Sequence, residues 1–218
     1  MRIYLRITNN KEPVPFNYQQ YLTGAFHKWL GKNKQHDKLS LYSFSFLQGG
    51  KSDNGCLSFN NGSVWFISSW NIDLIKKLIN GIKADPTIAF GMEAFEIILE
   101  EDPDLSKKEV FEVGSPVFVK RTIENKEKHY IFDDPETEIL LTETLRNKLK
   151  TAQMEDETLK VSFVTDYLSA KTKLYDYNGI KNRANLCPVR IIGKPETKAF
   201  AWNVGIGNST GIGFGSLK

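Results

Sequence analysis

Residues 202–218 read WNVGIGNSTGIGFGSLK, and five glycines recur there at every second position except for one gap. Glycine tolerates positive φ and lets another backbone approach closely, and clustered N–H groups can bind a phosphate. The pattern matches neither the dinucleotide fingerprint nor a P-loop, since it lacks the following helix and the Lys-Ser/Thr pair. Two interpretations stay open on this pattern alone: a phosphate-binding loop, and a glycine-rich hairpin or edge strand.

The residues before position 100 have the element order β-α-β-β-α-β. Ile3, Leu5 and Ile7 alternate with polar residues, which predicts a half-buried strand. Asn17 is a plausible N-cap for the helix that follows. The predicted elements are a strand at 2–8, a helix at 17–30, a strand at 40–47, hairpin strands at 57–59 and 64–68, a helix at 71–82 and an extended segment at 87–99.

The second half repeats this theme less regularly. The acidic stretch 100–104 contains Pro103 and is typical of a linker, which predicts domains at 1–102 and 103–218. The predicted elements after it are strands at 116–119, 129–132, 161–164, 173–177 and 188–192, helices at 135–150 and 195–202, and a last strand after the glycines. The sequence therefore predicts an α+β fold of two tandem ferredoxin-like (RRM-like) domains, each an antiparallel sheet with helices on one face.

Composition narrows the class of protein. The 218 residues are 40% hydrophobic, which is enough for packed cores, and no apolar run reaches the roughly 20 residues of a membrane helix. The N-terminal residues lack the features of a signal peptide, and Cys56 and Cys187 form no CxxC pair, so we expect a cytoplasmic protein without a disulfide framework.

Residues 1–92 and 160–218 are each net basic, whereas 93–159 are net acidic. On charge alone, an ordinary solvated surface is the favoured interpretation.

The glycine-rich segment resembles the G-φ-G-x5-G-F-G signature of the Cas6 family of CRISPR-associated endoribonucleases, which belongs to the RAMP superfamily. Three further stretches resemble the same family: residues 21–26 (YLTGAF), residues 38–43 (KLSLYS) and residues 114–117 (GSPV). These matches are collinear and span almost the whole chain. The resemblance implies metal-independent cleavage of CRISPR repeat RNA, in which a ribose 2′-OH attacks the adjacent phosphate to leave a 2′,3′-cyclic phosphate and a 5′-OH.

Such a reaction needs a general base, a general acid and positive charge near the phosphorane, and histidine suits both proton roles. By the resemblance, His36 is the general base, His27 the general acid and Lys38 the charge stabiliser, and the two histidine roles are interchangeable. Taken singly, His27 at the edge of an apolar helix face and His36 in a polar loop are more often structural or solvated residues. His129 is expected to be non-catalytic.

RNA contacts are expected from the glycine-rich segment and from basic residues of the second half. The predicted RNA-binding residues are Gly205, Gly207, Asn208, Ser209, Gly211, Gly213, Gly215, Lys181, Arg183 and Arg190. Lys171 and Lys173 are candidates for a basic edge, and Tyr175 and Tyr177 for base stacking or for packing. Each basic residue, taken singly, is more often an ordinary surface charge.

We expect no cofactor and no metal, because no carboxylate cluster or His/Cys spacing supports a metal site. The expected partner is CRISPR repeat RNA, and the resemblance also allows other Cas proteins of an effector complex and a homodimer, but no membrane. The alternative function is that of a non-catalytic RNA-binding RAMP subunit of a CRISPR effector complex. The two neighbouring histidines and Lys38 favour the enzyme over this alternative.

Overall fold

The computed structural model describes residues 1–31 and 39–218. The first unit contains a four-stranded antiparallel sheet, two helices and a small hairpin. Its elements are β1 (Arg2–Ile7), α1 (Gln19–Leu30), β2 (Tyr42–Phe44), β3 (Lys51–Asp53), β4 (Cys56–Ser58), β5 (Ser63–Ser69), α2 (Ile72–Ala84) and β6 (Ala94–Glu100). The strand order is β2-β5-β1-β6, so β1 and β5 lie at the centre of the sheet. This is the ferredoxin-like arrangement that the element order predicts.

The alternation in β1 sets which face of this sheet is buried. Ile3, Leu5 and Ile7 are buried in a core shared with the apolar faces of α1 and α2. The α2 helix begins where the side chain of Asn71 accepts a hydrogen bond from the Asp73 N–H at 2.9 Å. The α1 helix begins at Gln19 rather than at the predicted Asn17, and no side chain caps it.

The second unit repeats the arrangement with shorter strands. Its elements are β7 (Val110–Phe111), β8 (Lys120–Ile123), β9 (Lys126–His129), α3 (Thr137–Thr151), β10 (Lys160–Phe163), β11 (Lys171–Tyr177), β12 (Ile180–Leu186), β13 (Val189–Ile192) and α4 (Pro195–Val204). The sheet order is β10-β13-β7, and β8–β9 and β11–β12 form separate hairpins. The predicted last strand is reduced to a short antiparallel pairing, in which Val113 bridges Leu217 and Gly114 N–H donates to Ser216 O at 2.8 Å. The fold class is thus two tandem ferredoxin-like units.

Two hairpins differ from the predicted strands. The strand that contains Leu57 pairs with Lys51–Asp53 rather than with β5, because Asn54 and Gly55 both adopt positive φ and form the connecting turn. In the second unit, the strands predicted at 116–119 and 129–132 are replaced by the β8–β9 hairpin, whose turn residues Glu124 and Asn125 also have positive φ. Glu-Asn is a rarer turn pair than Asn-Gly, so the pattern did not reveal it.

The predicted linker at 100–104 lies at the end of β6, before β7 begins at Val110. The domain boundary at 102/103 stays a prediction. No helix within the described ranges has the length and apolar content that a bilayer crossing requires.

Arg2 joins the two units. Its guanidinium is fully buried between the rings of Phe66 and Trp202, 4.0 and 3.7 Å from their centroids. It donates to Ser68 Oγ at 2.7 Å and to the carbonyl oxygens of Trp202 and Leu217 at 3.0 and 2.8 Å. A planar donor fork between two aromatic faces is a geometry that lysine cannot reproduce.

We therefore expect Arg2→Lys to lower the free energy of unfolding by about 2–3 kcal/mol, since buried acceptors lose a charged donor. Arg6→Lys on the same strand is the matched control. Arg6 is mostly exposed and forms a surface ion pair with Glu96, at 3.2 Å, so its replacement should change stability by less than about 0.5 kcal/mol. Urea denaturation of the two variants checks this, and equal losses would contradict the role given to Arg2.

Candidate functional site

The glycine-rich segment leaves α4 at Gly205 and folds back against both units. Gly205, Gly207, Gly213 and Gly215 have φ between 66° and 90°, a region that favours glycine. A 3-10 turn at Thr210–Ile212 forms its bend. Most of the segment is buried, and Asn208, Ser209 and Ile212 are its half-exposed residues.

Close backbone contacts explain why glycine occupies these positions. Ile206 N–H donates to Gly215 O at 2.8 Å, and a methyl group on Gly215 would overlap the carbonyl oxygen of Ile206. A methyl group on Gly207 would lie 2.5 Å from the carbonyl oxygen of Phe118, and one on Gly213 would overlap the ring of Phe44. The five glycines therefore pack against the chain itself, and the side chains that the segment presents outward belong to its middle residues.

Asn208 fixes this middle part to the second unit. Its N–H donates to Phe118 O at 2.7 Å, and its side-chain oxygen accepts from Lys120 N–H at 2.9 Å. Ser209 has a left-handed φ of 59° and lies at the start of the 3-10 turn. Both predicted RNA-binding residues are thus held at the surface in one conformation.

Lys148 contacts the buried side of the glycine-rich segment. It lies on α3 with only 2% of its surface exposed. Its Nζ lies 2.9 Å from Val204 O, 3.2 Å from Gly205 O and 2.9 Å from Thr210 Oγ1, so one side chain contacts both ends of the bend. Burial lowers the pKa of Lys148 to about 7, because the charged form loses its hydration.

This pKa makes stability depend on pH. An unfolded lysine has a pKa near 10.4, so between pH 10 and pH 7 the unfolded chain takes up a proton that the folded chain does not. Folding is therefore penalised as the pH falls toward 7. We expect the wild type to gain stability relative to Lys148→Met from pH 7 to pH 9, by at most about 1.4 kcal/mol per pH unit. Urea denaturation at three pH values measures this, and a difference that stays constant with pH would contradict it.

His27 lies in the last turn of α1 and is half-buried. Its ring meets the ring of Phe26 edge-on with 5.4 Å between centroids, and Phe26 in turn stacks on Tyr42 at 4.6 Å. The Tyr42 hydroxyl donates to Gly211 O at 3.4 Å. The end of α1, the start of β2 and the bend of the glycine-rich segment thus form one packed unit.

His36 and Lys38 lie outside the described residues. The described chain stops at Gly31, at the end of α1, and resumes at Leu39. The side chain of Ser40 lies directly against Gly211, and the side chain of Gln19, at the other end of α1, donates to Ile212 O at 2.6 Å. Ser40, which follows the segment that carries His36 and Lys38, is therefore attached to the same packed unit as His27.

The β11–β12 hairpin carries most of the predicted basic residues and lies across both units. Its turn contacts α1, where Asn178 N–H donates to the side chain of Gln20 at 3.2 Å. Lys173 Nζ lies 5.7 Å from the centroid of the exposed Phe16 ring. Tyr175 packs against Phe214 and Phe46, so its contacts are those of a packing residue, and burial raises its pKa.

Lys181 and Arg183 are exposed on β12, where they pair across the hairpin with Asp176 and Leu174. Arg190 lies on β13, the central strand of the second sheet, and its side chain is exposed on the face opposite the buried Val189 and Ile191. No contact between Arg190 and the glycine-rich segment occurs among the described residues. The structure therefore brings Lys181 and Arg183 onto one hairpin and places Arg190 apart from them.

His129 links the two hairpins. Its Nε2 lies 2.8 Å from Glu127 Oε1, and its Nδ1 accepts from Arg183 N–H at 3.3 Å. Its ring packs edge-on against Phe118 with 4.9 Å between centroids. In the parts of the chain that the structure covers, no three His, Cys, Asp or Glu side chains gather as a metal site would require.

The buried contacts of Lys148 and Arg2 were not predicted from the sequence. A signal for Lys148 was present, because it shares the helical face of Leu141, Leu145 and Leu149, which are all buried. Ile139, on the same helix, is 61% exposed. Arg2 gave no such signal, since an arginine that alternates with apolar residues is typical of a solvated strand face.

Comparisons with known proteins agree with this fold. A family model described as "CRISPR associated protein Cas6, C-terminal" matches residues 99–218. CRISPR-associated endoribonuclease Cas6 1 of Methanocaldococcus jannaschii is 24% identical, in an alignment that covers 100% of this chain and 92% of that protein. CRISPR-associated endoribonuclease Cas6 of Pyrococcus furiosus is 25% identical, over 94% of this chain and 83% of that protein.

Solved structures show the same architecture. One described as "CRISPR associated protein Cas6" superposes with a TM-score of 0.84 at 20% identity and covers 100% of this chain and 98% of that chain. Another, described as "An RAMP protein binding different RNA substrates", has a TM-score of 0.83 at 21% identity with the same coverage. These similarities establish the tandem ferredoxin-like fold over the full length of the chain.

Proposed function

Because the chain belongs to the Cas6 family of CRISPR-associated proteins, we propose that it is an endoribonuclease that cleaves CRISPR repeat RNA. The observation that carries the proposal is the packed unit around Gly211. There, α1, which bears His27, and Ser40, which follows the segment that bears His36 and Lys38, meet the bend of the glycine-rich segment. The candidate general acid is thus connected through Phe26 and Tyr42 to the candidate RNA-binding segment.

The reaction we propose needs no metal ion. The general base removes the proton of a ribose 2′-OH, which attacks the adjacent phosphorus, and the general acid protonates the departing 5′-oxygen. We assign the base to His36, the acid to His27 and the stabilisation of the phosphorane to Lys38. His27 has one ring face against Phe26 and remains half-exposed, so its position is compatible with reaching a bound phosphate.

The RNA lies, in this proposal, along the glycine-rich segment and the β11–β12 hairpin. Asn208 and Ser209 are the outward residues of the segment and offer side-chain donors for phosphate or base edges. Lys181 and Arg183 place two cations on the hairpin that borders α1. Arg190, on another sheet, is the weakest member of the predicted set. Association with other Cas proteins and a homodimer remain predictions.

Incubation of end-labelled CRISPR repeat RNA with the protein in excess EDTA tests the proposal. We expect one cut within the repeat and a product that carries a 2′,3′-cyclic phosphate, identified by its mobility before and after acid treatment. An unrelated RNA of equal length is the control for specificity. Tight binding without a cut, across several repeat sequences, would instead support the non-catalytic RNA-binding subunit of an effector complex.

A further inference from the structure

Lys148 is a buried cation for which no carboxylate partner is present among the described residues. Three acceptors surround its Nζ within 3.2 Å: two consecutive carbonyl oxygens at the start of the glycine-rich segment and the Thr210 hydroxyl at its bend. An ammonium group has three donors, so this arrangement satisfies each of them. The neutral amine also fits, because the Thr210 hydroxyl can rotate and donate to the nitrogen.

A lysine is a costly choice at this position. Its neighbours on the buried face of α3 are uncharged leucines and threonines, and an apolar side chain of similar length would avoid the desolvation of the amine. An apolar side chain would, however, leave the carbonyl oxygens of Val204 and Gly205 without this donor and would not connect them to Thr210. The lysine is therefore explained by the connection it makes between two parts of the bend.

Two of the three half-exposed residues of the segment, Asn208 and Ser209, lie between these two attachment points, Gly205 and Thr210, in the sequence. Asn208 also forms hydrogen bonds with the backbone of Phe118 and Lys120 in the second unit. Lys148 binds both Gly205 O and Thr210 Oγ1 and thereby holds these two atoms close together. Their separation in turn determines how far the exposed bend projects and in which direction.

We propose that Lys148 is a positioning residue for RNA binding, which holds the bend of the glycine-rich segment in the conformation that presents Asn208 and Ser209. The proposal rests on the proposed function, since it assumes that these two residues meet RNA. Lys148 itself does not reach the surface, so its effect on RNA is exerted through Val204, Gly205 and Thr210. A shift of about 1 Å in such a binding element is enough to weaken binding strongly.

Lys148→Met tests the proposal, because methionine fills a similar volume without the amine. Leu141→Ala is the control, since it also removes packing on the buried face of α3 but removes no group that can hydrogen-bond to the glycine-rich segment. Thr210→Val is a milder second variant that removes only the hydroxyl. Hydrogen exchange of the amides of residues 206–211 is compared among the variants after correction for global stability.

We expect Lys148→Met to accelerate this local exchange about tenfold over Leu141→Ala, with Thr210→Val in between. For repeat RNA, Lys148→Met should raise KM about tenfold and leave the single-turnover rate at saturating RNA within about threefold of wild type. A merely structural residue would lower the active fraction and leave KM unchanged, as we expect for Leu141→Ala.

Two results would overturn the proposal: local exchange in Lys148→Met equal to that in Leu141→Ala, or an unchanged KM in a folded Lys148→Met protein. If Lys148→Met does not fold, the same readings on Thr210→Val decide the question. Failure of the proposed function is distinguishable, because the wild type would then not cut the RNA while the exchange measurement would still report on the bend.

Discussion

Replacement of His27 by alanine is expected to slow the single-turnover cleavage of repeat RNA by about 10²–10⁴-fold, the usual contribution of a general acid or base. His36→Ala should have an effect of the same size, because each histidine serves one of the two proton transfers. The dissociation constant for RNA should change little, since the role proposed for each histidine is proton transfer rather than RNA binding. Rates at saturating RNA and binding by fluorescence anisotropy separate the two effects.

His129→Gln is the matched control for these variants. It removes the third histidine of the chain while an amide can still hydrogen-bond to Glu127 and Arg183, so cleavage should stay within about threefold of wild type. The assignment of the catalytic residues is wrong if His27→Ala and His36→Ala both cleave at rates close to that of His129→Gln.

Gly215→Ala is expected to lower the free energy of unfolding by more than about 4 kcal/mol, a loss that marks a specific mechanism rather than an average substitution. Gly215 has a φ of 66°, and a methyl group there would overlap the carbonyl oxygen of Ile206. The two backbones approach along the hydrogen bond from Ile206 N–H to Gly215 O, so neither can move without breaking it. RNA binding should be lost together with stability.

Gly55→Ala separates backbone strain from steric overlap. Gly55 has a φ of 79° in the β3–β4 turn, but a methyl group there would meet no atom within 4 Å. Its replacement should therefore cost only the strain of a left-handed alanine, about 1 kcal/mol. Similar unfolding midpoints for Gly55→Ala and Gly215→Ala would contradict this expectation. They would show that the close backbone contact at Gly215 adds no destabilisation to that caused by its positive φ.

The first unit could be predicted from sequence because its signals are periodic. Ile3, Leu5 and Ile7 alternate over a full strand, and α2 combines an Asn71 cap with apolar residues at helical spacing. The predicted pairing of residues 57–59 with 64–68 is wrong because Asn54-Gly55 is a strong turn signal and pairs Leu57 with the preceding strand instead. In the second unit, strands as short as β7, with two residues, leave too little pattern to be located.

The types of residue at the candidate site could be predicted from the sequence, but the contacts between them could not. The glycines indicated a special backbone, yet only the fold shows that Gly213 meets Phe44 and Gly207 meets Phe118. Lys148 and Arg2 are single polar residues on buried faces, and their partners lie 56 to 215 positions away along the chain. Such distant contacts depend on tertiary packing within the second unit for Lys148 and between the two units for Arg2, which no local pattern encodes.

The central claim is that the chain cleaves RNA by attack of a 2′-OH without a metal. Once the cut has been mapped, the most direct measurement uses a repeat RNA with a single 2′-deoxy nucleotide on the 5′ side of the scissile phosphate, in excess EDTA. We expect this RNA to bind as tightly as the unmodified repeat and to remain uncut. Cleavage of the deoxy substrate at the same position, or cleavage of the unmodified repeat that EDTA abolishes, would contradict the account.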